Sequence, residues 1–126
     1  MRQSKGQIEA AIRNAIIRFE MEFLGRGPTD VRAYILQDLI IVRLKGVLTP
    51  AEQQLAKNPE GVTLVKRMRS NLLDQGRDDL IKEISSLTGA EVVGLFTDVH
   101  VASGERVIVL TMDVNLEQRF LPAPTP

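Results

Sequence analysis

Two runs rich in β-branched and aliphatic residues, Thr29 to Leu36 and Leu39 to Lys45, are separated only by Gln37 and Asp38. A gap of two residues leaves no room for a crossover, so the runs must pair as an antiparallel hairpin. That turn length places Leu36 opposite Leu39, Tyr34 opposite Ile41 and Arg32 opposite Arg43. Side chains alternate along a strand, so the hairpin has two faces of different character. Val31, Ala33, Ile35, Ile40, Val42 and Leu44 make an apolar core face. Arg32, Tyr34, Leu36, Leu39, Ile41, Arg43 and Lys45 share the other.

A second hairpin is expected from Glu91 to Val101 and Arg106 to Val114, around the turn residues Ser103 and Gly104. A two-residue turn there gives a core face of Val93, Leu95, Thr97, Val99 and Val101 with Ile108, Leu110, Met112 and Val114. Phe96, Asp98, His100, Val107, Val109, Thr111 and Asp113 fall on the opposite face.

Helical patterns flank these hairpins. Ile8, Ile12, Ala15, Ile16, Phe19 and Phe23 recur at spacings of three and four, which predicts an amphipathic helix from Gln7 to Leu24. Gly25 follows as a C-cap, and Pro28 keeps the helix from resuming. Thr49, Pro50 and Glu52 form a capping box with proline at the first helical position, so a short helix runs to about Lys57. Asn58, Pro59 and Glu60 open another. Val65, Met68, Leu72, Leu80, Ile84 and Leu87 carry its stripe to Gly89, with Gly76 inside it marking a close contact with the sheet or a bend.

These elements specify an α+β two-layer sandwich: a four-stranded antiparallel sheet from two β-hairpins with helices packed on it, in the order α-β-β-α-α-β-β. The 126 residues suit one domain, read as 1–116, followed by a Pro-rich C-terminal tail at 117–126 that ends in LPAPTP.

Composition narrows the function. Sixteen acidic and sixteen basic side chains cancel, so no net field draws the chain to nucleic acid or to an anionic membrane. One Tyr, four Phe and no Trp offer few stacking platforms for single strands, and nucleic acid is not an expected partner. The chain has no Cys, which excludes disulfides, thiolate catalysis and Cys-based metal sites. Charge interrupts the N-terminal stretch every three or four residues, so it lacks the apolar core of a signal peptide or membrane span. The expectation is a cytoplasmic protein with no direct membrane insertion and no cofactor.

The mixed face is the main functional clue. Tyr34, Leu36, Leu39, Ile41, Phe96, Val107 and Val109 put more hydrocarbon beside Arg32, Arg43 and Lys45 than a solvated surface needs. A second copy of the chain is the least demanding partner, since a symmetric dimer lets one patch serve both sides. The alternative is that helical content between Pro50 and Gly89 also covers this face. Arg32 facing Arg43 requires an acid or an anion nearby, with Asp98 and Asp113 as candidates from within the chain or its twin. Arg26, Arg32, Arg43 and Lys45 form a candidate small-anion set.

Other chemistry is sparse. Asp98 and His100, alternating onto one face, could join Asp113 as metal ligands, against the simpler reading of a surface histidine. No Ser or Cys sits in a recognisable nucleophile elbow, so no catalytic residue is assigned and an enzyme is the less favoured reading. Gly25, Arg26, Gly27 and Pro28 follow a helix and precede a strand, the reverse of a phosphate loop, and read as cap and turn. Lys66, Arg67 and Arg69 are read as a solvated helix face off the apolar stripe, with lipid headgroups or an acidic partner as the alternative.

The run GRGPTDVRAYILQDLIIVRLKGVLTPAEQQLAK, then LVKRMR, TGAEVV and GERVIVLTMD, resembles a bacterial family of unknown activity. That family is named for the Mps C component of a sodium-translocating, membrane-potential-generating system. The likeness spans Ile8 to Asp113, and RLKGVLTPAE is its most specific part. Gly25, Gly27, Pro28, Arg32, Arg43, Lys45, Gly46, Thr49, Pro50 and Glu52 match its pattern. The resemblance implies an accessory or regulatory protein associated with a membrane ion or bicarbonate transport system, with a transporter subunit as partner. It brings no catalytic residues.

Overall fold

A computed structural model describes residues 3–121. Helix α1 (Lys5–Leu24) precedes the hairpin β1 (Asp30–Leu36) and β2 (Leu39–Lys45). Helices α2 (Pro50–Leu55) and α3 (Pro59–Thr88) lead to the second hairpin, β3 (Val92–His100) and β4 (Glu105–Met112), and a 3-10 turn spans Glu117–Phe120. The sheet is four-stranded and antiparallel, in the order β1-β2-β4-β3. This is the expected α+β class and element order.

The helix ends follow from local chemistry. Ser4 and Gln7 form a capping box at α1, Thr49 and Glu52 form one at α2, and Asn58 caps α3 through the Gly61 N–H. Gly25 and Gly89 end α1 and α3 in the left-handed conformation. Helix α3 runs unbroken past Gly76, whose Cα faces neither a bend nor the sheet. A Cβ there would lie 2.6 Å from ring atoms of both Phe19 and Phe23, so Gly76 is where α1 and α3 approach closely.

The first hairpin has the register set by its two-residue turn, with Tyr34 opposite Ile41 and Arg32 opposite Arg43. In the second hairpin the connection is longer, Val101 to Gly104, because His100 pairs with Glu105. A bulge between Val92 and Gly94 shifts the start of β3 by one residue. Val92 therefore takes the position opposite Met112, and Val93, expected in the core, is 64% exposed.

Helices α1 and α3 cover one face of the sheet. Ile12, Ile16, Leu80 and Ile84 pack there with Ile40, Val42, Ile108 and Leu110, all of them buried. Leu73 rather than Leu72 carries the α3 stripe, and Met68 is exposed. Among the described residues, no helix is long and apolar enough to cross a membrane. Of the tail at 117–126, Glu117 accepts from Lys5 at 2.8 Å and Arg119 donates to the Thr88 carbonyl at 2.9 Å. Residues 122–126 lie outside the described residues.

Candidate functional site

Among the described residues, nothing covers the face of the sheet turned away from the helices. Tyr34 is 49% exposed, Leu36 48% and Phe96 62%, so the long α2–α3 segment does not cover it. Strand register sorts this face into rows. Tyr34, Ile41, Val109 and Phe96 lie side by side across all strands in one apolar row. Leu36, Leu39 and Thr111 flank it toward the Gln37 turn, where the Phe96 ring lies over Gly94. On the other flank run Arg32, Arg43, Val107 and Asp98, basic at the β1 edge and acidic at the β3 edge.

The two facing arginines each have an acid within the chain. Arg32 Nε lies 3.4 Å from Asp30, and Arg43 pairs with Glu105. These acids, rather than Asp98 or Asp113, relieve the cross-strand repulsion. The Glu105 carboxyl is held below the usual range by its hydrogen bond from Arg43. Lys45 lies on the same face beside Asp30. Arg26 is not part of this group: its Nη1 donates to the Leu48 carbonyl at 3.1 Å.

His100 and Asp113 sit at opposite ends of the β3–β4 hairpin. His100 Nδ1 is 2.8 Å from the Ser103 hydroxyl, whereas Asp113 accepts from the Glu91 N–H at 2.9 Å. Glu91, just before β3, and His100 are nine residue steps apart, roughly 30 Å of chain. Asp98 pairs with Lys66 at 3.3 Å. Among the described residues, no group of three His, Cys, Asp or Glu side chains is placed to hold a metal ion.

Two outward backbone groups of edge strand β1 are occupied. Glu9 accepts from the Ile35 N–H at 2.8 Å, and Arg13 donates to the Val31 carbonyl at 3.1 Å. Both come from α1 and stand in the way of a further strand pairing along β1, while the face of the sheet stays open.

Sequence reasoning missed a group of charges inside the molecule. Arg69 donates to Glu52 from Nε at 2.7 Å and from Nη2 at 2.8 Å, and its Nη2 also reaches the Val47 carbonyl. Arg106 donates to Glu20 at 3.2 Å and to the Thr97 hydroxyl at 3.0 Å. All four charged residues are buried. Arg69 is therefore no part of a solvated face: it stands four residues after Val65 and four before Leu73, within the buried stripe. The same spacing was present for Glu20, four after Ile16, and strand alternation places Arg106 two before Ile108. Burial pushes the Glu20 carboxyl up despite Arg106 beside it, and pushes the Arg106 guanidinium down. Burial also pushes Glu52 up, but hydrogen bonds from Arg69 and the Thr49 N–H prevail and hold it below the usual carboxylate range.

The chain is similar to two Bacillus subtilis (strain 168) proteins. One is the uncharacterized protein YbcI, 42% identical over 120 residues that cover 95% of this chain and 97% of YbcI. The other is the uncharacterized protein YrhF, 29% identical over 108 residues that cover 84% and 88%. No solved structure gives a significant match. The family model described as "Na+-translocating membrane potential-generating system (MpsC)" matches residues 4–114, and the chain belongs to that family.

Proposed function

We propose that this chain is a non-enzymatic accessory or regulatory module that pairs with a second copy of itself through the uncovered sheet face. In this reading it serves a membrane ion or bicarbonate transport system from the cytoplasmic side, through a partner subunit and without entering the membrane. The family name supports the association with a membrane-potential system.

The row order of the face carries the choice of a second copy. Take a two-fold axis lying between two such faces and parallel to their strands. It sets β1 over the partner copy's β3 while keeping each row on itself. The Tyr34 position then meets the Phe96 position and Ile41 meets Val109, burying the apolar rows. In the flanking row the Arg32 position meets the Asp98 position twice, once on each side of the axis. A face with this antisymmetric charge order is complementary to its own rotated copy. Glu9 and Arg13 disfavour strand addition along the β1 edge.

Sedimentation equilibrium of the wild type and of Ile41→Asp tests the pairing. The wild type should sediment at twice the chain mass, and a folded Ile41→Asp at the chain mass; a folded variant with unchanged dimer mass sinks the proposal. Affinity purification from detergent-solubilised native membranes tests the association. A multi-span transport protein recovered with the wild type and lost with Ile41→Asp supports it, and the protein alone in both samples counts against it.

A further inference from the structure

Between α3 and β3 lies a pocket of about 220 Å³, lined by the polar residues Lys66, Arg69, Ser70, Thr97, Asp98 and Arg106 together with the apolar Leu73 and Val99. It is separate from the uncovered sheet face except for Asp98 at its rim. Three of these side chains are cationic and one is acidic. Arg69 is nearly fully buried, and its fork is only partly used. Nε and Nη2 serve Glu52 and Val47, while Nη1 is buried with no hydrogen-bond partner among the described residues. An orphaned guanidinium nitrogen has given up water for nothing, so its presence beside a cavity calls for an acceptor.

We propose that this pocket binds a small oxyanion of the phosphate or sulfate class, with Arg69 Nη1 and Lys66 Nζ as its principal donors. Size selects the class: the volume is below the roughly 300–1,000 Å³ typical of drug-sized ligand sites and several times the roughly 30 Å³ share of one water. Charge selects the sign, since a metal cation would face Lys66, Arg69 and Arg106 across one carboxylate. Hydrogen bonding selects an acceptor-rich ligand. Arg69 lines the pocket with Nη1 unspent, the Ser70 hydroxyl offers a donor from an exposed position of α3, and the Lys66 ammonium offers three.

The acids already present do not fill this role. Glu52 lies on the other edge of the Arg69 fork, and Glu20 is engaged by Arg106. Asp98 reaches Lys66 at 3.3 Å and accepts from the Val99 N–H at 2.9 Å, and its side chain is 82% exposed. It can turn to solvent when an anion takes Lys66, so the Lys66–Asp98 pair holds the mouth in the absence of ligand. Proximity of Arg69 to Arg106 lowers the Arg106 guanidinium further, and an anion between the two would relieve that repulsion.

Calorimetric titration and thermal unfolding with sulfate, inorganic phosphate and glycerol 3-phosphate test this, against sodium chloride at matched ionic strength. The expected result is saturable one-to-one binding with Tm rising with the logarithm of ligand concentration. Lys66→Glu and Ser70→Glu, both at exposed positions of α3, should each weaken binding at least tenfold while leaving the ligand-free Tm within a degree or two. Binding of all three ligands assigns the site to a free oxyanion, and binding of glycerol 3-phosphate alone assigns it to the phosphate of a small metabolite. Curves indistinguishable from chloride for every ligand, or both variants binding as tightly as the wild type, overturn the proposal. Ser70→Glu leaves both the apolar rows and the Asp98 contact untouched, so with that variant dimer mass and anion binding are read independently.

Discussion

Arg69 and Glu52 meet in a two-pronged ion pair, at 2.7 and 2.8 Å, inside the protein. The pair ties the first turn of α2 to the middle of α3, and Arg69 Nη2, shared with Glu52, also holds the Val47 carbonyl in the loop that follows β2. Glu52 is at the same time the capping-box partner of Thr49. A single guanidinium thus fixes the junction of sheet and helices.

Breaking this pair from one side should be costly. Arg69→Met leaves Glu52 buried without its counter-charge and is expected to lower stability by about 3–5 kcal/mol. Adding Glu52→Gln removes the stranded charge, so the double variant should be more stable than Arg69→Met alone. Urea unfolding at pH 7 measures both. Additive losses would mean that the two side chains act separately.

The buried carboxylates give opposite pH dependences. Glu52 sits below its ordinary value, so its contribution is present above the usual carboxylate range and is lost as pH falls below about 4. Glu20 sits above its ordinary value, so its contribution is full below about 4 and declines as pH rises through the folded-state value. Glu20→Gln mimics the protonated form. Its stability relative to the wild type should therefore improve from pH 4 to pH 7, measured by urea midpoints across that range. A flat difference would remove Glu20 from the pH response.

What could be read from the sequence was whatever local chemistry decides. Gln37 and Asp38 fixed one register through turn length, and Thr49, Glu52, Gly25 and Gly89 marked helix ends through caps. The buried ions escaped because two stripes fit α3 equally well by spacing. Met68 and Leu72 suggest one phase, and Val65, Leu73 and Leu80 the other, which carries Arg69 inward. Only the packing against α1 and the sheet chooses between them. The β3 bulge was hidden for a related reason: one inserted residue reverses the alternation, and Gly94 is its sole local mark. The uncovered face was legible as a mixed face, but its row order depends on β2 pairing with β4, a long-range contact that no turn dictates.

The crossing of α1 and α3 should resist even one methyl. In an isolated helix Gly76→Ala is worth about 1 kcal/mol of added stability. Here the new Cβ would meet Phe19 and Phe23 at 2.6 Å, and Phe19 is buried. Overpacking of this kind costs about 1–3 kcal/mol, so the net change is expected to be destabilising, by about 1 kcal/mol. Thermal unfolding reads the sign directly, and a raised Tm would show that the rings have room to retreat.

A charge exchange tests how the two sheet faces pair. In the proposed dimer the Arg32 position faces the partner copy's Asp98 position. Arg32→Asp should then set two acids against each other at both symmetric contacts, and Asp98→Arg should set two bases. Each single variant is expected to weaken dimerisation at least tenfold, while the double variant Arg32→Asp/Asp98→Arg restores the opposite-charge contacts and recovers most of the affinity. Both residues are exposed, so folding should survive each change. Arg32 also has Asp30 at 3.4 Å, and Asp98 has Lys66 at 3.3 Å. Loss of those intrachain pairs alone would lower the double variant as much as the singles combined. Sedimentation at several concentrations separates the cases: recovery in the double variant requires that the two positions meet across the interface, and additive losses place the second copy elsewhere.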